Sequence, residues 1–286
     1  MTVKGLVRRG TLMLAGCAVM LLTPGAHAFQ QPDTLEVLKK ARQEEVTKAN
    51  LAVLEKARAS YYSLKNEGMA GFQCDMTPNW AALLEEQRKT NPEGIDAAIV
   101  RLKQLHFSVT VGADGAAKVT HNEITADNEK MAEGLKQIYS GMEQMTTGFF
   151  QTWSVFVVSP PLPELATPFE LENGADYSLS YKDGATDVVT LMGRDFAVKA
   201  LQVTAQEFVS ILKPRFSKTP KGYLMTAYDA DYEGAGGKDK TELQVAIDYQ
   251  PVEGLQVPKT LNLKGSYNGS PFQVEVAFSG CTATKQ

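Results

Sequence analysis

The chain has 286 residues, of which 29 are basic, 33 acidic and 3 histidine, for a net charge of −4; apolar residues make up 43% and charged residues 22%. That balance is globular and excludes a disordered polymer, a collagen-like chain and a disulfide-dense miniprotein. No basic excess points to nucleic acid.

Residues 1–28 read as a secretory signal. Lys4, Arg8 and Arg9 form a positive n-region, residues 11–22 an apolar core, and Ala26-His27-Ala28 a small-residue cleavage site. The reading predicts a periplasmic or secreted mature chain beginning at Phe29. The apolar run falls short of the ~20 residues of a membrane-spanning helix, and no later segment reaches that length. Leu14-Ala15-Gly16-Cys17 offers a rival reading, lipid anchorage at Cys17. The apolar run continues to Leu22, where a polar tether would follow a lipidated cysteine. The signal removes three basic residues and no acidic one, leaving 26 basic and 33 acidic, net −7.

Residues 29–286 are expected to form one domain, with parts at 29–68, 69–160 and 164–282. Asp33-Thr34 can cap a helix running to Glu67, stopped by Gly68. Val46, Ala49, Val53, Ala57, Tyr61 and Leu64 recur at three- and four-residue steps and predict one apolar stripe. Residues 69–77 read as a strand. Thr77-Pro78 opens a short helix holding Trp80, Leu83 and Leu84, and Asn91-Pro92 starts another to Leu105. A hairpin follows, at 106–112 and 116–121, turned by Asp114-Gly115.

A helix over 125–156 carries the strongest periodic signal. Leu135, Ile138, Met142, Met145, Phe149, Trp153 and Phe156 step by three or four residues and mark a wide, adaptable apolar face. Pro160-Pro161-Leu162-Pro163 ends it. The pattern then turns to period two, with strands at 168–172, 177–182, 187–192, 196–203, 223–233, 242–250, 259–267 and 272–278 and a short helix at 204–212. Short turns between strands require antiparallel pairing. The expected fold is α+β: a curved antiparallel sheet, an open half-barrel, with long helices covering its concave face.

Cys74 and Cys281 are the two cysteines outside the signal. In an oxidising compartment an even pair favours a disulfide, here tying the first strand to the last; two buried thiols are the alternative. Neither belongs to a C-x-x-C, which argues against redox catalysis.

Asp248-Tyr-Gln-Pro-Val-Glu-Gly-Leu-Gln-Val-Pro258, Leu261-Asn-Leu263 and Phe272-Gln-Val-Glu-Val-Ala-Phe278 resemble the closing strands of the periplasmic outer-membrane lipoprotein-sorting (LolA/LolB-like) carrier superfamily. The likeness is close over 248–278 and an outline elsewhere, and residues 78–156 are more helical than in the small carriers. It implies a divergent branch with an open half-barrel capped by helices and acyl chains held in an apolar cavity. None of that family's cargo-binding residues matches a position here.

Catalytic motifs fail on inspection. Ser210-Ile-Leu-Lys213 matches S-x-x-K, but no S-D-N accompanies it and Lys218-Thr219-Pro220 is not K-T-G. Asp229-Ala-Asp231-Tyr-Glu233-Gly234 opens like a calcium loop, yet Lys240 stands where the bidentate Glu belongs. His106 and His121 sit on one hairpin; strand parity puts His121 inside and His106 outside. The expected function is that of a non-catalytic cell-envelope protein without cofactor or metal. It would bind an apolar ligand or acylated envelope partner through Leu135, Ile138, Met142, Met145, Phe149, Trp153 and Phe156. The alternative is a structural or protein-interaction module with a filled core.

Overall fold

A computed structural model describes residues 34–286. The expected export signal, Cys17, the expected cleavage point after Ala28, and Asp33 lie outside the described residues. The chain divides into two units at Glu45/Val46, and the second, Val46–Gln286, holds every strand described below.

Helix α1 spans Thr34–Ala59 and stops well short of Glu67. Tertiary backbone bonds replace helical ones there: Tyr62 N–H donates to Tyr223 O at 3.1 Å, Tyr223 N–H to Ser60 O at 2.8 Å, and Leu64 N–H to Val157 O at 2.9 Å. Gly222 permits this approach, because a Cβ on it would lie 2.6 Å from Ser60 O and its φ is +112°. The expected stripe is therefore shorter than its sequence. Val46 is 46% exposed and Ala49 is exposed, and burial begins at Leu54 and Ala57.

β1 (Met69–Pro78) is followed by α2 (Trp80–Leu83), α3 (Glu85–Thr90) and α4 (Pro92–Leu102), three short helices where two were expected. Asparagine caps set two of their starts: Asn79 Oδ1 accepts from Ala82 N–H and Asn91 Oδ1 from Gly94 N–H, each at 3.2 Å. β2 (Phe107–Gly112) and β3 (Ala117–His121) form the expected hairpin. α5 covers Glu129–Val157, capped by Asn128, whose Oδ1 accepts from Met131 N–H at 2.9 Å. It begins later than Thr125 because Arg101 holds the Asp127 carboxylate and Thr125 O outside the helix. At the far end the Arg58 guanidinium donates to Leu162 O and Pro163 O at 2.7 and 2.6 Å, fixing the proline turn.

Nine strands complete the chain: β4 (Phe169–Asn173), β5 (Tyr177–Asp183), β6 (Thr186–Met192), β7 (Val198–Thr204), β8 (Phe208–Thr219), β9 (Gly222–Gly234), β10 (Thr241–Val252), β11 (Leu255–Tyr267) and β12 (Ser270–Lys285). Together with β1–β3 they make a single 12-stranded sheet in the order β3-β2-β1-β12-β11-β10-β9-β8-β7-β6-β5-β4. The ladders between neighbours are antiparallel. The fold is α+β. β8 corrects the sequence reading, which made 204–212 helical. Val209 and Ile211 put apolar side chains on the face opposite Ser210 and Leu212, which hides the period of two. Pro214 is tolerated because the β7 ladder ends at Leu212, so no β7 hydrogen bond is lost there.

The sulfurs of Cys74 and Cys281 are 2.05 Å apart, joining β1 to β12 across 207 residues of sequence. β12 is also held at this point by Gln250, whose Nε2 donates to Phe278 O at 3.0 Å.

Gly134, Gly141 and Gly148 recur every seventh residue along α5, and a Cβ on any of them would meet nothing within 4 Å. Each weakens the helix relative to alanine without a packing return. Gly141→Ala is expected to raise stability by about 1 kcal/mol, read as a higher denaturation midpoint; an unchanged midpoint would refute this.

Candidate functional site

Alternate strand residues build one apolar face. Phe72, Met76, Val109, Leu179, Met192, Val245, Leu261 and Phe278 all belong to the buried core. α5 contributes Phe150 and Trp153 to it. Trp153 is 0% exposed, its indole N–H donates to the Tyr249 hydroxyl at 3.0 Å, and Tyr249 in turn donates to Met225 O at 2.6 Å. Phe150 meets Phe72 and Phe278 at ring-centroid separations of 5.9 Å each. Phe156 approaches Phe216 of β8 at 6.3 Å.

Packing is incomplete toward one end of the strands. A groove of about 770 Å³ opens between the C-terminal half of α5 and strands β7–β12. Met145, Phe149 and Phe156 wall it from the helix, and Leu201, Leu212, Tyr228, Leu243, Leu263 and Phe272 from the sheet. Gly148 leaves its helix side without a side chain. Among the described residues that line it, none carries a charge. The volume is within the ~300–1,000 Å³ usual for small-molecule sites.

The seven α5 residues singled out from sequence divide in two. Met145, Phe149 and Phe156 line the groove; Leu135, Ile138, Met142 and Trp153 do not. Leu135, Met142 and Trp153 are buried in the core, and Ile138 packs against it half-buried. The sheet wall was missed from sequence, most of all Phe208, Ser210 and Leu212, which fall where a helix was expected. The alternation of Leu212, Pro214 and Phe216 with exposed Lys213 and Arg215 was the available signal.

A row of hydroxyls crosses the groove near its open end. Ser210 of β8 pairs in register with Tyr232 of β9, and Tyr232 with Thr241 of β10. From the helix, the Thr152 hydroxyl stands 3.3 Å from that of Tyr232. Burial pushes the Tyr228 and Tyr232 phenols above their ordinary range, keeping both neutral near pH 7.

The remaining sequence candidates separate. Ser210 points into the groove while Lys213 is exposed and ion-paired with Asp231 at 3.6 Å, because residues three apart on a strand face opposite ways. Asp229 and Glu233 are likewise paired, with Arg215 at 2.6 Å and Lys240 at 3.5 Å. His121 lies opposite Phe107 and shares its face, as parity required, but it is exposed on edge strand β3 and not in the core; its ring stacks on Tyr139 at 4.0 Å. His106 is exposed. Among the described residues, no group of three or more His, Cys, Asp and Glu side chains converges on a point where a metal ion could sit. No helix among them is long and apolar enough to cross a membrane.

Comparison with family models, with curated proteins and with solved structures finds no match.

Proposed function

We propose that this is an exported, non-catalytic carrier of the cell envelope, whose sheet curves into an open half-barrel and holds an acyl chain beneath α5 on its concave face. The observation that carries this reading is the uncharged, largely apolar groove of about 770 Å³ between α5 and the sheet. The signal-like N-terminus and the lipoprotein-carrier resemblance over 248–278 support it. The mechanism is passive: burial of acyl methylenes at ~0.8 kcal/mol each means about ten suffice for a micromolar complex.

The test uses N-phenyl-1-naphthylamine, an uncharged apolar fluorophore, against wild type and Gly148→Trp. A Cβ at 148 would meet nothing within 4 Å and the position is exposed, so the variant is expected to fold. Its indole fills the groove, and fluorophore affinity is expected to fall more than tenfold. Unchanged affinity in the variant, or a wild type that binds no fluorophore, overturns the reading. The second result would leave the structural or protein-interaction module, favoured by the packing of Leu135, Met142 and Trp153 into the core.

A further inference from the structure

Within that groove the hydroxyl row has a polarity of its own. Ser210 is 3% exposed, and its hydroxyl finds no partner in the protein. A serine hydroxyl can donate and accept, and a buried one left unbonded is destabilising unless something enters to bond it. Thr146 and Thr190 carry buried hydroxyls of the same kind, but neither lines the groove. Ser210 does, beside Tyr232, Thr241 and Thr152.

Position gives the row its meaning. One step toward the strand ends lies the pair Phe208 and Gly234, with Phe208 42% exposed at the mouth. One step inward lie Leu212, Ala230 and Leu243, followed by Tyr228 and Val245. A ligand seated here has a polar group at Ser210 and an alkyl chain running inward. That group is desolvated with no cation lining the groove to balance a negative charge. Burial without a partner strongly disfavours a carboxylate, whereas an ester needs only donors.

We infer that the groove selects acyl chains borne on an uncharged ester over free fatty acids, with Ser210 donating to the ester carbonyl. The inference rests on the carrier reading and narrows it to a ligand class. The energetic asymmetry comes from the protein: neutral donors satisfy a carbonyl oxygen, while a fatty-acid carboxylate, bonded by the same hydroxyls, finds no counter-charge and must enter protonated or remain at the mouth with its chain partly outside.

The test displaces N-phenyl-1-naphthylamine with monolaurin and with laurate at pH 8, which share one acyl chain. Monolaurin is expected to compete at more than tenfold lower concentration. Ser210→Ala removes an orphaned hydroxyl, so folding is not at risk. The variant is expected to weaken monolaurin roughly fivefold to tenfold, the worth of one hydrogen bond, and to narrow its advantage over laurate accordingly. Laurate competing as well as monolaurin, or Ser210→Ala leaving monolaurin unchanged, overturns the ester inference while fluorophore binding still upholds the carrier. A wild type blind to the fluorophore overturns both.

Discussion

Loss of the Cys74–Cys281 bond is expected to cost this protein up to about 5 kcal/mol, the chain-entropy value for a closure of 207 residues. Against a typical total of about 5–15 kcal/mol, that is a third or more of the stability. The bond acts mainly on the unfolded chain, which it keeps from separating its first and last strands. The native ladder between β1 and β12 does not depend on it: register pairs run from Met69↔Lys285 to Pro78↔Val276 on both sides of the sulfurs. A Cys74→Ala/Cys281→Ala double variant is therefore expected to fold with the same far-UV spectrum and a clearly lower guanidinium midpoint. Wild type in a strong reductant is expected to follow it. Coincident midpoints for wild type with and without reductant would refute this.

Alkali is expected to act nearly as strongly. Tyr61 and Tyr228 are 3% and 1% exposed, and burial is the largest cause holding both phenols well above the ordinary tyrosine range. The Tyr61 hydroxyl donates to Phe196 O at 2.6 Å and accepts from Val198 N–H at 2.8 Å, which ties it to the neutral interior. The folded state thus holds protons that the unfolded chain releases. Their stabilisation is complete below pH 10 and is lost as pH climbs from 10 toward the raised folded values. At pH 11 the two together should remove about 3 kcal/mol. Tyr181, half-buried and pushed up to about 12, adds a smaller loss that ends near that pH. Melting temperatures at pH 9, 10 and 11, with phenolate absorbance recorded alongside, check this. Tyr228→Phe should flatten the decline, and a flat wild-type curve would sink the argument.

How much of this was legible follows from where local pattern and tertiary demand agree. Strands with one apolar and one polar face announced themselves: β10 buries Val245 and Ile247 and exposes Glu242, Gln244 and Asp248, and the Asp114-Gly115 and Asn268-Gly269 turns fixed two hairpins. β8 did not, because Val209 and Ile211 make its outer face apolar too and Pro214 imitates a stop. The end of α1 was invisible as well. Residues 60–64 continue a helical stripe, and only backbone bonds to Tyr223 and Val157, far along the chain, pull them out of it. The α5 stripe was read correctly as apolar but not divided into groove and core. That division depends on which strand residues stand opposite, and helical periodicity holds no information about them. Ser210 was noticed for a catalytic string that strand geometry dissolves, and its burial became visible only once β8 was a strand.

The place of β12 in the strand order has a consequence for how the molecule is made. β12 lies between β1 and β11, so the ladder containing β1–β3 and the ladder containing β4–β11 share no strand pairing until residues 270–285 arrive. A chain without this segment carries two unjoined ribbons, with β1 and β11 added to β3 and β4 as open edges. Joining the two requires residues 270–285, so a partner that holds this segment back keeps the ribbons apart.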